Sequence, residues 1–175
     1  MTTAPTQKQI TPTGPVGEVI KKLGRLVVEI QQCLIRRGIV RIDPADTVEV
    51  ATRLLAMSGS RLATVTGIEV RDGIDILYHW CFEPPGQVLT VKALAARPEL
   101  AIDSVALVVP AANWIEREMH DLLGATFRNH PDMRRLILAD SWPEGVHPLR
   151  KGFDQVADRP PMPSGPATAP GGEAR

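Results

Sequence analysis

Three of the four histidines, His120, His130 and His147, fall within the forty residues from Trp114 to Phe153, together with six acidic and six basic side chains. Such a mixture could hold a metal, move a proton or grip a polyanion, and each chemistry makes its own demand on spacing. Zinc motifs contain a close ligand pair, such as two histidines four apart on one helix. Here the histidines lie ten and seventeen residues apart, and Cys33 and Cys81 are distant in the chain. General acid–base work needs a tuned carboxyl beside a nucleophile or a second carboxylate, and no recognisable motif places one near Glu118. A nucleic-acid surface would use Arg128, Arg134, Arg135, Arg150 and Lys151, but Asp132, Asp140 and Glu144 are interleaved among them. No aromatic platform or glycine-rich loop accompanies these arginines. GxGxxG, GxxxxGK and GxSxG elements are absent from the sequence. The spacing favours ion pairing inside a protein-binding block. A stand-alone metal-dependent hydrolase and an RNA-binding module using the His/Arg-rich loops stay open as alternatives.

The block needs a helix to position it. Asn113 is a good N-cap, Glu116 at N3 completes a capping-box pair, and Gly124 is a good C′ residue. On a wheel of ~100° per residue, Trp114, Ile115, Met119, Leu122 and Leu123 share one half and Glu116, Arg117, His120 and Asp121 the other. Glu118 falls inside the apolar arc. A carboxylate buried there must be paired, because a lone buried charge costs several kcal/mol or more. Arg134, Arg135 and Arg150 are the evident partners, so Glu118 is expected to anchor the "HPDMRR" loop through a charge-assisted bond.

The remaining chain supplies the scaffold. With 175 residues, 43% apolar and 23% charged, it can form one globular domain, and its net charge of zero gives no overall pull toward nucleic acid or anionic membrane. Two cysteines are too few for a disulfide framework or a four-thiolate cluster and fit a reducing compartment. The longest apolar run, 105–112, is far short of the roughly 20 residues that span a bilayer. "MTTAPTQKQITPTG" lacks the basic start and apolar core of a signal peptide. Residues 1–14 and 154–175 are expected to be disordered, flanking one domain over 15–153.

Apolar spacing through Val16, Val19, Ile20, Leu23, Val27, Ile30 and Leu34 predicts one helix from Pro15 to Arg37, capped by Gly38. "IVRI" reads as a short strand. Asp46 with Glu49 opens a second helix whose apolar face is Val48, Ala51 and Leu55 and which ends near Gly59. The Asp72-Gly73 pair marks a hairpin between "RLATVTGIEV" and "IDILYHWCF". Ile74, Ile76, Tyr78, Trp80 and Phe82 alternate on one face, and His79 reads as a lone sheet residue. "QVLTVKAL" and "SVALVVP" (104–110) complete about four mainly antiparallel strands. The fold class is α+β, with two to three helices on the sheet and irregular Arg-rich C-terminal loops.

"ANWIEREMHDLLGATFRNHPDMRRLIL" followed by "WPEGVHPLRKGF" resembles the signature of the 30 kDa subunit family of respiratory complex I, the NADH:quinone oxidoreductase. The matching residues are Trp114, Glu116, Arg117, Glu118, Asp121 and Gly124, then His130, Pro131, Asp132, Met133, Arg134 and Arg135, then His147, Pro148, Leu149, Arg150 and Lys151. The same module occurs in membrane-bound, energy-converting nickel–iron hydrogenases. The resemblance implies a hydrophilic peripheral-arm subunit with no cofactor and no active site of its own. It would pack on the large catalytic subunit, of 49 kDa or hydrogenase type, beside an iron–sulfur subunit. Those partners would carry iron–sulfur clusters and, depending on the complex, nickel–iron or flavin. The implied location is the cytoplasmic side of the membrane, reached only through the complex, with no nucleic-acid partner. Gly152 stands where relatives usually carry an acidic residue, and "WPEGVHPLR" looks more like the hydrogenase-associated members.

Overall fold

A computed structural model describes residues 10–84 and 86–154. The disorder expected of 1–14 and 154–175 therefore falls, except at 10–14 and 154, outside the described residues. Pro12 lies close to the helix that follows: a Cβ on Gly17 would stand 2.6 Å from its carbonyl carbon.

The first helix, α1 (Gly14–Leu23), buries Val16, Ile20 and Leu23 as its spacing requires. It stops well short of Arg37. Gly24 takes φ +56°, and its N–H returns to the carbonyls of Ile20 and Lys21. Beyond it the chain becomes β1 (Val27–Cys33), turns at Leu34–Arg37 and returns as β2 (Arg37–Ile42). The β-branched Val27, Val28 and Ile30 favour extended backbone, and pairing with β2 outweighs their helical spacing. Leu34 and Ile35, one of them counted in the helical stripe, end up exposed. Gly38 is no cap; it lies in β2, where a Cβ would meet Val16 at 2.6 Å and Leu89 at 3.1 Å, and so lets α1 close on the sheet.

Helix α2 (Thr47–Leu55) follows. Asp46 makes no side-chain capping bond; Asp43, one turn earlier, accepts from the Ala45 N–H at 2.9 Å. The buried face is Thr47, Val50, Ala51 and Leu54, rotated from the expected one, with Leu55 exposed. Then β3 (Ser60–Val70) and β4 (Gly73–Phe82) form the expected hairpin, Val70 opposite Gly73 across Arg71-Asp72. Strand β5 (Gln87–Ala96) pairs antiparallel with β4 and parallel with β2, giving the sheet order β1-β2-β5-β4-β3. Ile74, Ile76, Tyr78, Trp80 and Phe82 are all buried, as the alternation requires. On the opposite face His79 is tied rather than alone: its two ring nitrogens lie 2.9 Å from the Thr66 hydroxyl and 3.0 Å from that of Thr90. Farther along the same face the buried Asp75 pairs with Lys92 at 2.7 Å.

The strand expected at 104–110 is replaced by the short β6 (Ala101–Asp103) and a tight turn in which the N–H groups of Val108 and Val109 both donate to the Val105 carbonyl. Strand β7 (Thr126–Arg128), not anticipated, pairs parallel with β6. Between them runs α3 (Ala112–Leu123), seated over β3 where a Cβ on Gly67 would come within 2.4 Å of Leu123 and 2.9 Å of Met119. The class is α+β as expected: three α-helices with a mainly antiparallel five-stranded sheet and a two-stranded ribbon, among the described residues.

Candidate functional site

Helix α3 is the hub of the charged block, and its buried side carries charged as well as apolar residues. Its buried residues are Ala112, Glu116, Arg117, Met119, Asp121 and Leu123. Trp114 is 67% exposed. Met119 and Leu123 are buried as the wheel requires, but it misplaces Trp114 and the polar Glu116, Arg117 and Asp121, each of which has a built partner.

Glu116 is fully buried. It does not complete a capping box, and Asn113 is not the N-cap; the helix begins one residue earlier, after Ala111, without a side-chain cap. Instead the Glu116 carboxylate accepts from the Ser104 hydroxyl and from the Val105 N–H at 2.9 Å. That bond takes the Val105 N–H out of any strand ladder, and residues 104–110 form a turn instead of a strand. Burial pushes the Glu116 carboxyl up to about 7, against the two bonds that favour its charged form. The same charge, after burial itself, raises the Tyr78 hydroxyl. His130, whose side chain is fully buried, closes this cluster. Its Nδ1 accepts the Asp132 N–H at 3.0 Å, which puts the proton on Nε2, 3.1 Å from the Asn113 carbonyl and 3.8 Å from Glu116.

Arg117 and Asp121 tie down the loop after His130. The Arg117 guanidinium donates to the carbonyls of Arg134 at 2.8 Å and Arg135 at 3.1 Å, with Asp132 at 3.7 Å. One carboxylate oxygen of Asp121 accepts the N–H groups of Leu136 and Ile137 at 2.8 Å and Leu138 at 3.2 Å. Burial pushes Asp121 up, but these three amides outweigh it and hold the carboxyl below its ordinary value. The role expected of Glu118 thus belongs to Arg117 and Asp121. Glu118 makes no hydrogen bond or ion pair among the described residues, and none of the three arginines proposed for it reaches it.

Those arginines are engaged elsewhere. Arg134 forms a two-pronged pair with Asp132, at 2.8 and 2.7 Å. Arg135 donates to the carbonyls of Ala139 at 3.0 Å and Trp142 at 2.7 Å. Arg150 pairs with Glu69 at 3.1 Å, the same carboxylate that takes the Lys151 N–H and the Arg97 guanidinium, both at 2.7 Å. The Lys151 amide and then the arginines hold Glu69 below its ordinary value, against burial. So the "HPLRK" segment is stitched to the end of β3 by Glu69, while the Leu149 N–H bonds the Leu122 carbonyl at 3.0 Å. Pro131 and Pro148 lie in the two loops so held.

His147 packs where Gly124 turns. Its Nδ1 lies 2.8 Å from the Asp121 carbonyl, and a Cβ on Gly124, at φ +70°, would meet its Nε2 at 2.5 Å. Gly124→Ala is expected to cost about 1–3 kcal/mol, combining left-handed strain with displacement of the imidazole, as read by chemical denaturation.

A cavity of about 380 Å³ lies here, lined in part by His120, Asp121, Arg135, Glu144 and His147. No serine or cysteine lines it, and both imidazoles are tethered by Nδ1 to carbonyls, His120 to that of Ala125 at 2.8 Å. The larger cavity, about 830 Å³, sits far from this block between residues 10–12, α1 and β1. Among the described residues no group of three or more His, Cys, Asp or Glu side chains could hold a metal ion, and no helix is long and apolar enough to cross a membrane. Most of the charged side chains of α3 and of the two loops are bonded within the chain, Glu118 excepted.

A family model described as the respiratory-chain NADH dehydrogenase 30 Kd subunit matches residues 40–159. An NADH-quinone oxidoreductase subunit of Geobacter metallireducens is 36% identical over 119 residues, 65% of this chain and 72% of that protein. The match to its Geobacter sulfurreducens counterpart is 41% identical over 87 residues, 49% of this chain and 52% of that protein. An F(420)H(2) dehydrogenase subunit of Methanosarcina mazei is 37% identical over 100 residues, 56% of this chain and 63% of that protein. Among solved structures, a chain of the membrane-bound sulfane sulfur reductase, an archaeal respiratory membrane complex, shares the fold at a TM-score of 0.71 and 22% identity, covering 80% of this chain and 86% of its own.

Proposed function

We infer the function from one plain fact of kinship: the chain belongs to the respiratory-chain NADH dehydrogenase 30 Kd subunit family. It is a subunit of a membrane-bound multisubunit oxidoreductase. Our reading is that it does no redox chemistry itself, carries no cofactor, and docks on the large catalytic subunit beside an iron–sulfur subunit, on the cytoplasmic side of the membrane. One observation carries this. Glu116, Arg117, Asp121, Arg134, Arg135 and Arg150 are consumed by bonds within the chain, so the block is a preorganised surface and not a set of groups waiting for substrate. The residues carried by the resemblance, including His130, Asp132, His147 and Lys151, build that surface, and partner contacts come from what remains outward. Relatives serve NADH–quinone and F(420)H(2) dehydrogenases, which favours a dehydrogenase parent over a hydrogenase.

The full chain, tagged and recovered from host membranes in mild detergent, is expected to bring down a large catalytic subunit and an iron–sulfur subunit in equal amounts. Recovery as a lone species in the soluble fraction would refute the reading.

A further inference from the structure

We propose that the outward stripe of α3, Trp114, Glu118 and Leu122, is a docking face for a partner subunit that presents an apolar recess flanked by an arginine or lysine. The proposal rests on the subunit reading above and deepens it.

The three residues are spaced four apart, so they form one line along the helix. At ~100° per residue the centre of that line is turned about 160° from Glu116 and about 100–140° from Met119 and Leu123, which cover Gly67. A surface helix ordinarily points its apolar residues inward and its charges out. Here Glu116, Arg117 and Asp121 share the inward places with Met119 and Leu123, and a tryptophan 67% exposed takes an outward one. Tied to the helix end through the Leu122 carbonyl, the 58% exposed Leu149 lengthens the apolar line. Exposed tryptophans flanked by aliphatic side chains are the residue type around which protein interfaces concentrate their affinity.

Glu118 specifies the partner's charge. Of the three acidic residues on α3, Glu116 is satisfied by Ser104 and Val105 and Asp121 by three loop amides. Only Glu118 is left without a partner among the described residues, and it sits between Trp114 and Leu122. Covering this line with a neutral apolar surface would strand the carboxylate in a dry interface, which is unfavourable. A cation on the partner removes that penalty, and a guanidinium can both stack on the indole and fork onto the carboxylate. Two copies of this chain meeting through the stripe about a twofold axis would set one Glu118 against another, so a second copy fits poorly. An anionic lipid surface is disfavoured by the same charge. One helix line is also too small for a stable interface of about 1,600 Å², so the stripe is the centre of a larger contact.

The test uses the tagged full chain in its native host. Trp114→Ala and Glu118→Arg should each lower recovery of the large and iron–sulfur subunits by roughly tenfold or more, and Glu118→Gln by less. The isolated Trp114→Ala chain should melt within about 2 °C of the parent, as exposed substitutions do, and Glu118→Arg, half-buried but unbonded, within about 4 °C. Val28→Ala, exposed on β1, is the control and should recover partners normally. If the parent chain brings down its partners and both stripe variants do so equally well, the stripe is not the docking face and the subunit reading survives. Failure of the parent chain to bring down oxidoreductase subunits overturns both. Light scattering that finds a dimer made monomeric by Trp114→Ala, or collapse of both variants on isolation, also overturns the stripe.

Discussion

Glu116→Ala is expected to lower stability by about 3 kcal/mol, a fall in Tm of roughly 6–12 °C for a chain of this size. The loss has two sources. Removing the carboxylate leaves the Ser104 hydroxyl and the Val105 N–H without acceptors in a buried place, and it opens a void beneath α3 where His130 also packs. Because the carboxylate holds the 104–109 turn to the helix, loss of protection at the Val105 amide in hydrogen exchange should accompany the drop in Tm. Glu116→Gln separates shape from charge. It keeps a carbonyl acceptor for Val105, and the Ser104 hydroxyl can accept from the new amide.

The pH dependence follows from the same residue. In the folded chain Glu116 titrates at about 7 and its ordinary value is 4.5, so between these values the folded state holds a proton that the unfolded state has released. Its contribution is complete below about 4.5 and fades as pH rises through 7, up to an order of 3 kcal/mol. His79, lowered by burial, acts with the opposite sign near neutrality, but it is common to parent and variant. Subtracting the stability of Glu116→Gln from that of the parent therefore isolates Glu116. That difference should decline from pH 5 to pH 8 in denaturation curves; a flat difference would mean that the carboxyl is ionised throughout.

How far such features can be seen in a sequence depends on whether the determinant is local. The β3–β4 hairpin is legible because alternation of Ile74 to Phe82 and the Asp72-Gly73 pair act within a few residues. Gly124 marks the end of α3 for the same reason. Strand β1 is not legible, because its helical spacing is undone by pairing with β2, a contact made only after the chain turns. The faces of α3 fail more instructively. A wheel ranks Glu116 as outward and Trp114 as inward, and nothing nearby reveals that Ser104, Val105 and the 136–138 amides await the carboxylates of Glu116 and Asp121 across 11 to 17 residues. The dense charge of the block was the available signal. Six acidic and six basic groups in forty residues suggest ion pairing, but within the block only Asp132 takes arginines. Arg117, Asp121 and Arg135 bond mainly to backbone groups, and Arg128 and Arg150 pair outside it.

Asp121→Ala carries the other large expected effect, and it is local. One carboxylate oxygen collects three consecutive N–H groups, and each bond to a charged acceptor stabilises by about 1.5–3 kcal/mol. Without it Leu136, Ile137 and Leu138 have no acceptor, and the 134–138 segment keeps only the Arg117 bonds to the carbonyls of Arg134 and Arg135. Exchange at the three amides should accelerate by roughly a hundredfold or more, while amides of β4 and β5 change little, since opening this loop does not open the sheet. Asn at 121 retains a neutral acceptor and should fall between. Glu118→Gln should leave all three rates unchanged, because Glu118 touches no part of the loop. The acid limb supplies the sign: the folded Asp121 carboxyl lies below its ordinary 3.8, so its contribution is present above that value and is lost as pH falls through the folded one. Protection at 136–138 should thus vanish on acidification in the parent chain and be pH-independent in Asp121→Ala. If the loop stayed protected in the alanine variant, Arg117 alone would be holding it, and the surface of the charged block would owe its order to the guanidinium rather than to the carboxylate.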